Sequence, residues 1–371
     1  MSLVTLSAPF TTVSETITDL QKQLHSAFPT TTPRLILFFS TSSVDPGLIA
    51  QKMQELYPNV PTFGCTTAGE LISGQMLKNS VVVCAFDSET VEDVQIETVN
   101  NIKEGNNVEQ AYQSFTNHFG NLKEVDLKKY VGIILIDGMS GGEERLMEKL
   151  GDLTNISFIG GSAGDDLKFK ETFVFANGQA HSNSAVLALI HLKSGFDIIK
   201  TQSFVSSNKT LIATKVNEKE RIIDEFDNKP AVVAYSEALG VPVEKALDEF
   251  MSHPVGLVIG NDPYVRSPQQ IVGTHMKFYC NVKEGAHLHI LNETDIIADT
   301  KKALEKKVAE LGPIKGIINF HCILRTLELE KKHQTKEYAD LFSTIPMIGF
   351  STYGEEYIGH VNQTATMLLI K

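Results

Sequence analysis

One short pattern, spelled three times, constrains this chain more than any bulk property. The first copy is Phe63-Gly64-Cys65-Thr66-Thr67-Ala68-Gly69-Glu70. The last, Ile348-Gly349-Phe350-Ser351-Thr352-Tyr353-Gly354-Glu355, agrees with it in the apolar lead, both glycines, the hydroxyls and the acid. The middle copy, Ile159-Gly160-Gly161-Ser162-Ala163-Gly164-Asp165-Asp166, is looser by one position. Each follows a short apolar approach of strand character, at 60–63, 156–159 and 346–348. Each therefore reads as a glycine-bounded turn that presents hydroxyls and a carboxylate at a strand end, and three such turns could converge on one pocket.

The surroundings repeat with the pattern. Residues 34–39 read as a buried strand, Asp45-Pro46 opens a helix as N-cap and first-turn proline, the signature follows, and 80–86 returns as a strand. The second unit has a strand at 130–136, a helix at 143–150, a short strand at 156–159, then strands at 172–175 and 185–190. The third has a strand at 314–320, a helix at 335–342, a short strand at 346–348 and a return strand at 364–370. Ahead of them all, the capping box Thr12-x-x-Glu15 leads into Ile17, Leu20 and Leu24 at helical spacing. Between the second and third units the character changes: a strand and turn at 221–228, helices opened by Pro230 and Pro242, a strand at 256–260, an antiparallel pair at 276–281 and 287–291, and a helix at 294–311. The expected fold class is α/β, with mixed sheets carrying helices on their faces and antiparallel return strands. We expect two domains, 1–216 with two repeat units and 217–371 with the third unit and the inserted elements.

The chain has 371 residues, enough for two domains, and its 42% hydrophobic and 21% charged content is that of an ordinary globular protein. The net charge of −12 is spread along the chain, which argues against nucleic acid or an anionic membrane as partner. Met1-Ser2-Leu3-Val4-Thr5 lacks a signal-peptide pattern, and the apolar runs are too short to insert in a membrane. Four scattered cysteines, Cys65, Cys84, Cys280 and Cys322, form no Cys-x-x-Cys pair, so a reducing cytoplasm is the expected setting.

Several groups carry candidate chemistry. Gly138-x-Ser140-x-Gly142, between a strand and a helix, fits the nucleophile-elbow pattern, but Glu143 and Glu144 place negative charge where an oxyanion would form. A turn whose N–H groups face a small ligand, or glycines that only make the turn, are the competing readings. His321 and Cys322 are neighbours on a strand and cannot both face one pocket. His287-Leu288-His289 lacks a third metal ligand, and single histidines such as His253, His275 and His360 would each suffice only as an axial ligand for haem. Arg325, beyond the strand of the third unit, can clamp a carboxylate, while Glu70, Asp165 or Glu355 receives an ammonium group; an internal salt bridge is the alternative. No Walker loop, dinucleotide fingerprint or HExxH is present.

Together these motifs resemble the FIST family of sensory domains. Gly64 to Glu70 and Gly160 to Asp166, followed by Phe173-Val174-Phe175-Ala176-Asn177-Gly178, resemble its amino-terminal module. His321-Cys322-Ile323-Leu324-Arg325, Gly349 to Glu355 and Asn362-x-Thr364 resemble its carboxy-terminal module. The resemblance implies a cytoplasmic protein, not an enzyme, that binds a small molecule and signals to a separate partner such as a histidine kinase. It leaves the ligand open between an amino acid and haem, the latter for nitric oxide sensing. The implied ligand-binding residues are Cys65, Thr66, Thr67, Glu70, Ser140, Ser162, Asp165, Arg325, Ser351, Thr352 and Glu355.

Overall fold

The computed structural model describes residues 3–105, 107–260 and 262–371. Its contacts divide the chain into two compact units. The first runs up to Lys200 and takes in Ala303–Gly359 and Ala365–Lys371; the second comprises Thr201–Lys302 and His360–Thr364. Apart from Thr364, where the third return strand begins, the strands and helices of the three repeats fall in the first unit.

Each repeat builds the centre of one mixed sheet. A central strand (Leu35–Thr41, Tyr130–Ile136, Gly316–Cys322) pairs in parallel with the signature strand that follows its helix (Thr62–Thr67, Phe158–Ser162, Met347–Thr352). A return strand (Ser80–Phe86, Ser184–Leu192, Thr364–Ile370) then pairs antiparallel on the central strand's other side. The turn expected at each signature begins later than its first glycine, because that half of the pattern is itself strand. The reason is steric. Gly64, Gly160 and Gly349 face Phe38, Ile134 and Asn319 across the parallel pair. A Cβ on them would lie 1.8, 1.7 and 2.2 Å from those residues' carbonyl oxygens. Only glycine lets the strands approach so closely.

The sheets are completed by exchange. The strand Glu70–Ile72, just past the first signature, pairs with the third signature strand. Val174–Ala176, past the second, pairs with the first signature strand, and Glu355–Glu356, past the third, pairs with the second. Each repeat thus lends a strand to another repeat's sheet, in a closed cycle. The inner faces of all three sheets share one apolar core, including Phe39, Phe63, Leu135, Ile159, Phe320 and Phe350. The helices Val13–Ala27 and Pro46–Leu56 cover the outer face of the first sheet, and Val108–Phe119 and Glu143–Leu153 that of the second. Thr12 and Asp45 cap the first two helices as their sequence patterns predict.

In the second unit, strands and a short helix pack around Phe226, Tyr235 and Phe278. The antiparallel pair expected from 276–281 and 287–291 is not formed. His275–Phe278 pairs with Ile222–Phe226 and Pro268–Val272, and His287–Glu293 pairs with Phe204–Asn217 and Val255–Ile259. Both segments alternate apolar residues toward the same core, so the pattern fixes which face is buried and leaves the partner open.

Candidate ligand cleft at the signature turns

The three signature turns meet, and their backbones bond to one another. Ala68 N–H donates to Ser351 O at 3.2 Å and Ser351 N–H to Gly69 O at 2.8 Å. Ser162 N–H donates to Gly354 O at 2.8 Å, Tyr353 N–H to Ser162 O at 3.0 Å, and Gly164 N–H to Thr66 O at 3.0 Å. Buried turn amides need partners, and here each turn supplies those of the next. Gly69, at φ +128°, adopts a conformation closed to other residues, and its missing side chain leaves Ser351 Oγ 3.4 Å from where a Cβ would stand.

The acids and hydroxyls of the pattern are largely engaged with each other. Thr67 Oγ1 donates to Glu70 at 2.5 Å, and Ser80 donates to it through Oγ at 2.7 Å and N at 3.1 Å. Thr352 donates to Glu355 in the equivalent place, and Ser162 Oγ donates to Glu356 at 2.9 Å. Asp165 differs: it ties down the loop after it, accepting from the N–H groups of Phe169 at 2.9 Å and Lys170 at 2.6 Å and from the Tyr353 hydroxyl at 2.5 Å. Burial raises the Glu70 carboxyl from the usual range to about 7, against the lowering effect of its hydroxyl and amide donors. Its two protonation states are therefore closely balanced at neutral pH.

Where the first and third turns meet lies a cleft of about 340 Å³, lined by Ala68, Gly69 and Glu70, by Met76, Leu77 and Lys78 of the exchanged hairpin, by Thr326 and Glu330, and by Thr335 and Ser351. Its position beyond the carboxyl ends of parallel strands is where open α/β sheets bind ligands. Its size lies at the small end of ligand pockets. Lys78 and Glu330 pair across its mouth at 2.6 Å.

Of the residues expected at the site, Glu70 and Ser351 line this cleft. Thr66, Thr67, Ser162, Asp165, Thr352 and Glu355 build the turns behind it, and Cys65 is sealed in the apolar core, where burial holds its thiol well above the usual range. Arg325 is fully buried in the helix Ile323–Lys331 and hydrogen-bonds Tyr338. Ser140 belongs to another loop, where its Oγ accepts from Gly142 N–H at 3.3 Å. Met76, Leu77, Lys78, Thr326, Glu330 and Thr335 escaped sequence reasoning. The turn dipeptide Ser73-Gly74 is the one local signal that could have located the first three, and it says nothing of the sheet they join.

Haem needs a slot with an iron ligand poised beside it. Neither the cleft nor two larger grooves, about 600 Å³ beside Glu143–Leu153 and about 750 Å³ beside Arg34 and Asp93, is lined by a histidine. His253 bonds Glu249 and His275 bonds Asp224, while His321 lies beneath the Tyr338 ring at 4.6 Å. The residues around these cavities do not fit haem. Among the described residues there is no cluster of three metal-ligating side chains, and no helix is long and apolar enough to cross a membrane.

Comparison with known proteins agrees with the repeat architecture. The FIST N domain profile matches residues 34–229 and the FIST C domain profile residues 231–357. An uncharacterized protein of Methanocaldococcus jannaschii is 23% identical over 291 residues, covering 73% of this chain and 56% of that protein. The chain thus spans little more than half the length of that relative.

Proposed function

Because the chain belongs to the FIST family, whose domains are sensory domains of signalling proteins, we propose that it senses a small, amino acid-like ligand in the cleft between its first and third signature turns. It passes the signal to a separate partner, such as a histidine kinase, in the cytoplasm. The observation that carries this reading is the convergence of the turns on a small cleft with charge of both signs at its mouth. Lys78 and Glu330 are partly exposed, and such a pair contributes at most about 1 kcal/mol. Opening that pair to admit a zwitterion therefore costs little. Deeper in, Glu70 receives the ammonium group, and Arg325, one residue behind Thr326, is the counterpart for a carboxylate.

Calorimetry across a panel of amino acids and related metabolites tests the assignment. At least one member is expected to bind with an affinity that falls about tenfold or more in Glu70→Gln and in Arg325→Ala, the loss of one charge-assisted bond. Binding that survives both substitutions would sink it.

A further inference from the structure

The third repeat holds a polar compartment beside the cleft. Asn319 and His321 stand two residues apart on the helix-facing side of the central strand Gly316–Cys322. Over them lie Arg325 and Tyr338, from the helices Ile323–Lys331 and Thr335–Asp340. All four are buried. The Tyr338 hydroxyl accepts from Asn319 Nδ2 at 3.2 Å and bonds Arg325. Among the described residues, both ring nitrogens of His321, and Asn319 Oδ1, have no hydrogen-bond partner. Leaving one such group unmet costs about 1–3 kcal/mol, so three together call for something that satisfies them.

The compartment adjoins the cleft. His321 and Ser351 are register partners on neighbouring parallel strands, so their side chains stand side by side on one face. Ser351 and Thr326, the residue after Arg325, both line the cleft and share a hydrogen bond of 2.8 Å. That hydroxyl pair stands between the cleft and the buried polar cluster.

We propose that His321 and Arg325 form an anion subsite behind the Thr326–Ser351 pair, which receives the carboxylate of a ligand held in the cleft. The inference rests on the cleft being the ligand site. Parting two hydroxyls gives up a bond worth about 1 kcal/mol, less than a charge-assisted bond to a guanidinium returns. The subsite also binds a proton. Burial, with the Arg325 charge adding to it, holds His321 neutral, well below the usual histidine range. The groups facing it are Ser351 and Ala365 on the flanking strands and Arg325 and Tyr338 on the helices, with no acid among them. An arriving carboxylate offsets the guanidinium and favours the imidazolium, which donates from both nitrogens. Binding then takes up one proton, and affinity falls about tenfold per pH unit wherever free His321 is neutral and bound His321 is charged.

Nitrogen NMR of the full chain with ¹⁵N-labelled histidine tests this, with sodium acetate as probe and sodium chloride and methylammonium chloride at matched ionic strength as controls. Acetate is expected to move the His321 nitrogens from the neutral to the imidazolium pattern and to bind more weakly as pH rises; methylammonium is expected to leave His321 unchanged. With Glu70→Gln removing the other group that titrates at the cleft, acetate affinity should still fall as pH rises, and adding His321→Gln should abolish that dependence. The methyl signals of Met76 and Leu77 report on the cleft in the same samples. If acetate moves those methyls while His321 stays neutral, the subsite is wrong and the cleft stands. If neither responds, both readings fall. An equal response of His321 to chloride overturns the subsite as a general salt effect.

Discussion

Two glycines nine residues apart show how differently the same residue acts in this fold. Gly160 sits where a Cβ would meet Ile134 O at 1.7 Å, whereas Gly151, within the helix Glu143–Leu153, has nothing within 4 Å of that position. Gly160→Ala is expected to destabilise the protein by about 3 kcal/mol or more, because backbone cannot yield as a side chain does. Gly151→Ala is expected to stabilise it by about 0.5–1 kcal/mol through helix propensity. Urea unfolding of both variants checks the contrast. Glu70 makes a second residue-scale prediction. Burial raises its folded pKa to about 7, above the unfolded value near 4.5, so the folded state holds the proton more tightly. The resulting stability is fully present below about pH 4.5 and is lost as pH rises through about 7, a span of order 3 kcal/mol. Thermal melts from pH 4 to 8 should show this decline in the wild type and a flatter course in Glu70→Gln.

Among the elements, the loop after the second signature is the most dependent on one side chain. Asp166, Leu167 and Phe169 have φ of +54°, +63° and +51°, a region bulky side chains avoid. Asp165 holds them there through the N–H groups of Phe169 and Lys170. Asp165→Ala should release the loop, and trypsin cleavage at Lys168 or Lys170 should speed up about tenfold or more, as the loss of about 1–3 kcal/mol of local hydrogen bonding implies. Most elements of this kind were legible in the sequence because their signals are local. Thr12 and Asp45 announce helices, and apolar runs mark Ser80–Phe86, Tyr130–Ile136 and Thr364–Ile370. The helix carrying Arg325 was not legible: it starts straight from a strand, with Cys322 as its N-cap and no side-chain capping bond. Nor was the compartment around His321, since an unmet nitrogen is a property of packing. The convergence of the signatures was legible as a repeat; the hairpin Glu70–Leu77 at the cleft was not, because its partner strand lies in another repeat.

At the scale of the whole molecule, the exchange of strands makes the repeats interdependent. No sheet of the first unit is complete without residues from two repeats. A chain ended after Lys302 loses the third sheet's centre, leaves Glu70–Ile72 paired only with its own hairpin arm Gln75–Leu77, and takes from the second signature strand its partner Glu355–Glu356. It is expected to lose its cooperative thermal transition, where a protein of independent domains would keep that of its amino-terminal part; circular dichroism melts of the two chains decide between these. The same exchange sets a timetable for synthesis. Ser73 Oγ bonds Ile345 O across 272 residues. At roughly 5–20 residues per second, the first hairpin leaves the ribosome roughly 14–54 s before the strand it must join. Through that interval its edge stands open to other chains, so a cell making this protein has to shield a finished piece until the last-made repeat arrives.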